Sequence, residues 1–177
     1  SKARELANLR GTPTDNNILL QSTAGDALTA GGGTHNIAAG LNALGAATTG
    51  DDNVAIGRLA LGAGVTTGSS NIALGATSMD ALTTGLCNIA IGANAIGVST
   101  TGCLNVAIGH SALGNADTTG ITNIAIGHNT MDALTTGATN VAIGHNALGA
   151  ATTVCHNIAI GADALGGSSF ACGGSAE

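Results

Sequence analysis

One short apolar pattern recurs along most of the chain. Asn, Ile or Val, Ala, Ile or Leu, and Gly follow one another from Asn36, Asn53, Asn71, Asn88, Asn105, Asn123, Asn140 and Asn157; only the first copy departs, with Ala39 in fourth place. Successive starts lie 17, 18, 17, 17, 18, 17 and 17 residues apart. Such a short run bounded by Asn and Gly suits a strand rather than a helix. Residues two apart in a strand share a face, so Val54 and Ile56 point one way and Ala55 the other. Each copy then continues through segments such as Ala43-Leu44-Gly45 and Thr48-Thr49-Gly50, which read as turns. The Gly after the strand and the Gly after Thr-Thr are both expected to take positive φ at a corner. No 3.6-residue period is sustained, and Gly does not recur every third residue, which excludes long helices and collagen. The pattern predicts an all-β parallel β-roll, or β-solenoid, of eight 17–18-residue rungs. With strands about 4.8 Å apart, the stack would be a rod of roughly 35–40 Å.

Two columns are nearly invariant. The middle strand position is always Ala: Ala38, Ala55, Ala73, Ala90, Ala107, Ala125, Ala142 and Ala159. A strand apolar on both faces needs cover on both, and a column of Ala suits close approach of another chain through that face. The eight Asn residues that open the rungs are expected to form a buried ladder at the corner entering the strand, each amide bonding its neighbour. A longer period overlies the short one: residues 36–87 align with 88–139, and Met-Asp-Ala-Leu-Thr-Thr-Gly recurs at 79–85 and 131–137. Duplication of a three-rung block accounts for this.

The ends differ. Residues 1–35 lie outside the repeat; residues 1–10 have helical propensity and hold Lys2, Arg4, Glu5, Leu6, Leu9 and Arg10, before Gly11 and Pro13 stop the pattern. Asn17 to Gln21 forms a candidate extended segment, and Gly31-Gly32-Gly33 reads as a linker. This part is expected to attach the rod to another protein and to order on binding. The array spans 36–166. Residues 167–177, with Phe170, would cap the open end.

Composition narrows the function. The chain has 29 Gly, one aromatic residue and a net charge of −6, so a thick core built on large aromatic side chains is excluded. Beyond Arg58 there is no Lys or Arg, which argues against binding a nucleic-acid backbone. No 18-residue apolar run is present, so no membrane span is expected.

The rungs resemble the head repeats of YadA-like trimeric autotransporter adhesins. They are still more similar to the Ala-Ile-Gly, Ala-Leu, Thr-Thr-Gly repeats of bacteriophage tail fibre proteins, a pattern that residues 105–120 match in full. The opening residues, SKARELANL, also look like the start of structural proteins of marine phages, especially cyanophages. The resemblance covers residues 36 to about 165 and implies a left-handed β-roll that trimerises. It implies a virion protein, such as a tail fibre, spike or surface appendage, docked to another virion protein through the N-terminal segment and contributing to attachment to a host receptor. A bacterial surface adhesin is the nearest alternative. Fibre repeats often carry an aromatic residue after the Gly; here that position holds Leu41, Arg58, Ala76, Ala93, His110, His128, His145 and Ala162.

Candidate chemistry is sparse, and no catalytic residue, cofactor site or metal site is assigned. No Ser-His-Asp, phosphate-loop or metal-hydrolase spacing occurs, so the chain is not expected to be an enzyme. His110, His128 and His145 share one column, which reads first as an exposed corner ladder and second as donors close enough to share a metal. Cys87, Cys103, Cys155 and Cys172 show no C-x-x-C spacing; Cys155 and Cys172 fall in one column, open to a disulfide or to free thiols. Asp80 and Asp132 align three rungs apart, roughly 14 Å, too far for paired acid–base work and better suited to turns. Regular Thr ladders can bind ice, but in adjacent Thr pairs only one Thr can face outward, so a Thr-rich turn is the simpler reading.

Overall fold

The computed structural model describes residues 9–10, 16–28 and 32–167. Strands β1 (Leu9–Arg10), β2 (Ile18–Leu20), β3 (Ile37–Ala39), β4 (Val54–Ile56), β5 (Ile72–Leu74), β6 (Ile89–Ile91), β7 (Val106–Ile108), β8 (Ile124–Ile126), β9 (Val141–Ile143) and β10 (Ile158–Ile160) form one sheet in chain order. From β2 to β10 all neighbours are parallel and pair in register, each rung position against the same position of the next, as in Ala107 against Ala125. The chain is a β-solenoid of about eight turns, with no helix among the described residues.

The stack begins earlier than the repeat. Leu19 pairs with Ala38, and Asn17 Oδ1 accepts the backbone N–H of Asn36 at 2.7 Å. Asn17-Ile18-Leu19-Leu20 is therefore a ninth, divergent rung, and Gly33 is its corner rather than a linker, its carbonyl accepting the Asn17 amide at 2.9 Å. Leu9 and Arg10, expected in a helix, instead pair antiparallel with Leu20 and Leu19. An open β2 edge presents unpaired N–H and C=O groups, and satisfying them outweighs weak local helix propensity. Lys2, Arg4, Glu5 and Leu6, and the Phe170 cap, lie outside the described residues.

Counting each rung from its Asn as position 1, the Ala at position 3 points inward. Ala38, Ala55, Ala73, Ala90, Ala107, Ala125 and Ala142 are 0% exposed in the single chain. The close approach that selects Ala is thus between the walls of one coil and not between chains, because side chains from the opposite wall fill the interior. Those are the residues at position 9 (Leu44, Leu61, Met79, Ile96, Leu113, Met131, Leu148) and at the next inward column (Leu82, Leu134), all buried. The outward positions 2 and 4 carry the larger Ile, Val and Leu.

Turning the chain so tightly needs backbone that few residues adopt freely. Position 5 is Gly in all eight repeat rungs, with φ between 125° and 138°, and Gln21 at φ 116° holds that place in the divergent rung. A Cβ on Gly109 would lie 2.4 Å from the carbonyl oxygen of Gly127, so both φ and the rung above exclude a side chain. The Gly after Thr-Thr is not among the positive-φ positions; Gly there answers to crowding alone, since a Cβ on Gly85 would stand 2.3 Å from Gly102 O. Positive φ falls instead on non-Gly residues: position 7 (Asn94, Ser111, Asn129), position 9 (Leu113, Met131, Leu148) and the last position of the rung (Leu104, Thr122, Thr139).

Candidate interaction surfaces

The Asn ladder runs the length of the rod. Each backbone N–H at position 1 donates to Oδ1 of the Asn one rung before, at 2.7–3.1 Å from Asn36 to Asn157. From Asn17 to Asn140 each side-chain NH2 donates to the corner carbonyl of its own rung, as Asn105 Nδ2 does to Gly120 O at 2.9 Å. Asn36, Asn53, Asn71, Asn88, Asn105, Asn123 and Asn140 are at most 1% exposed. Among the described residues no buried side-chain nitrogen or oxygen lacks a partner. These seven amides are buried and hydrogen-bonded within the rod.

The opposite holds for positions 2 and 4. Ile56, Ile72, Ile91, Ile124, Ile143, Ile158 and Ile160 are exposed and Val54, Leu74, Ile89, Val106, Ile108, Ile126 and Val141 half-buried. Parallel pairing in register stacks them as two straight columns on one sheet face. A second, shorter apolar group, Leu86, Leu104 and Ile121, is exposed at positions 16 and 17 of three consecutive rungs.

The imidazoles form a stack on the surface. His110 and His128 have ring centroids 5.1 Å apart, His128 and His145 5.4 Å, with interplanar angles of 15° and 1°. All three are exposed. Among the described residues no group of three or more His, Cys, Asp or Glu is placed to hold a metal ion.

The acidic residues serve turns. The two 18-residue rungs each precede a Met-Asp rung, and the Asp takes up donors near the extra residue. Asp80 Oδ1 accepts Ala63 N–H at 3.0 Å, and Asp132 Oδ2 accepts the Asn115 amide at 2.9 Å. Burial pushes the Asp80 carboxyl above its ordinary range, opposed by the N–H of Ala63, the Arg58 charge and the N–H of Gly62. The extra residue also changes the Thr pair. In these rungs Thr66 and Thr118 turn inward and donate to Leu82 O and Leu134 O at 3.0 and 2.7 Å. The second Thr of each pair (Thr49, Thr67, Thr84, Thr101, Thr119, Thr136 and Thr153) is exposed in single file. Its outward neighbour column is irregular: Asp51, Ser69, Leu86, Cys103, Ile121, Ala138, Cys155. Cys155 is disulfide-bonded and Cys87 and Cys103 are free thiols; Cys172 lies outside the described residues.

No family model, no curated protein and no solved structure matches the chain. Among the described residues no helix is long and apolar enough to cross a membrane.

Proposed function

We propose that the chain is a structural segment of a phage virion appendage, a fibre or spike in which three copies pack side by side and contribute to host attachment. The supporting observation is the outward apolar face. Two columns of Ile, Val and Leu run across nine strands, whereas a monomeric surface rarely leaves a contiguous apolar patch beyond about 300–600 Å². A regular, flat, in-register face is self-complementary and suits repeated copies of itself. Closed cyclic symmetry then covers the face in every copy without leading to open filaments. The roles fall out accordingly. The rod supplies length and stiffness, and the segment with Lys2, Arg4, Glu5, Leu6, Leu9 and Arg10 docks it to another virion protein. No residue is assigned a catalytic role.

Analytical ultracentrifugation of the purified chain tests the assembly, with a trimer expected and a folded monomer refuting it. Imaging of the source particle tests the location, with the protein expected on an external appendage.

A further inference from the structure

We propose that His110, His128 and His145 form a surface chelation site for one borderline divalent transition-metal ion, such as Ni2+, Zn2+ or Cu2+, held by two imidazoles at a time. Neutral imidazole is a favoured ligand for these ions. The parallel register fixes the three side chains on consecutive rungs, so their ring separations of 5.1 and 5.4 Å are built into the backbone. Two nitrogens each about 2.1 Å from one ion are roughly 3.4 Å apart for a tetrahedral ion and roughly 3.0 Å for neighbouring positions of a tetragonal one. Each stacked pair must therefore close by about 2 Å. All three side chains are exposed, so the rings can tilt toward one another on the solvent side. Ala93 and Ala162 occupy the same column on the flanking rungs, leaving both ends of the stack open and the remaining coordination positions to water.

The geometry sets an unequal dependence on the three residues. His128 belongs to both adjacent pairs, which makes the two arrangements mutually exclusive and limits the column to one ion. Removing His110 or His145 deletes one arrangement of two. Removing His128 leaves donors two rungs apart, roughly 10 Å, beyond reach of a common ion, so chelation is lost.

The test is calorimetric titration of the untagged chain with NiCl2 at neutral pH. Cys87→Ser and Cys103→Ser are present throughout, so that the free thiols do not compete. One ion per chain is expected. His128→Gln should weaken binding at least tenfold, the scale of losing a second tethered donor, and His110→Gln and His145→Gln about twofold each. His35→Gln and His156→Gln, which stand before the strand rather than after it, should change nothing. Absence of binding at millimolar Ni2+, equal losses at all three positions, or a comparable loss at His35 or His156 would each overturn the proposal. Unchanged thermal melting of His128→Gln without metal separates lost chelation from lost fold.

Discussion

Single residues carry unusual weight here because each is repeated in register. Gly109→Ala would add both an unfavourable φ and a Cβ 2.4 Å from Gly127 O. Strain of this kind costs about 1–3 kcal/mol even before the clash is relieved, so a fall in melting temperature of many degrees is expected. Asn105→Ala would strip the acceptor from Asn123 N–H and the donor from Gly120 O in one step. With roughly 1–3 kcal/mol for each buried group left unpaired, chemical denaturation should show a loss of about 2–5 kcal/mol, with no effect specific to ligand binding. Ile96 is a β-branched residue at φ 51°, where five other rungs carry Leu. Since β-branching disfavours this region, Ile96→Leu should be neutral or slightly stabilising. Asp80 has a raised carboxyl because burial penalises its charge. The folded state then holds the proton more tightly than the unfolded one, so this group's contribution to stability declines as pH rises through the carboxylate range. Asp80→Asn should therefore melt at or above the wild-type temperature at neutral pH, and the difference should shrink or reverse in acid.

At the level of the rung, register is the controlling variable. Residues 88 and 140 both open rungs of the same length, so excising 88–139 joins Cys87 to Asn140 in place of Asn88 and preserves every column. The shortened chain should fold with an unchanged circular-dichroism band shape and a rod about 14 Å shorter by small-angle scattering. Deleting Ile89 alone shifts its strand by one residue and exchanges its faces, and should destabilise far more than the loss of three whole rungs. The same logic explains the 18-residue rungs. Their extra residue is absorbed in the far wall, near donors that Asp80 and Asp132 take up, and the strand columns pass through undisturbed.

For the whole molecule, the direction of the strand faces separates folding from assembly. Ala107→Glu would bury a carboxylate in a core with no room and no partner, and should prevent folding of the single chain. Ile108→Glu with Ile126→Glu would place charge on the outward columns and should leave a folded chain that sediments as a monomer. If that double variant remained a trimer, contact through this face would be ruled out. Truncation of residues 1–15 removes the basic segment together with β1. It should leave the rod assembled but absent from particles, and normal incorporation would move the attachment elsewhere.

The strand columns, the rung length, the Asn ladder and the solenoid itself were legible in the sequence, because a period repeated eight times reports position directly. The exposed His column and the turn role of Asp80 and Asp132 followed from the same alignment. Other features were decided only in three dimensions. Which face of Asn-Ile-Ala-Ile-Gly turns inward depends on what the opposite wall delivers, and Leu, Met and Ile at position 9 fill the interior so fully that only Ala fits across from them. Positive φ at Leu113 or Met131 is invisible to local propensity, since burial and rung-to-rung hydrogen bonds impose it. Asn17 to Leu20 could not be recognised as a rung from a divergent copy 19 residues from Asn36; pairing along an open edge required only backbone groups, and those carry no sequence.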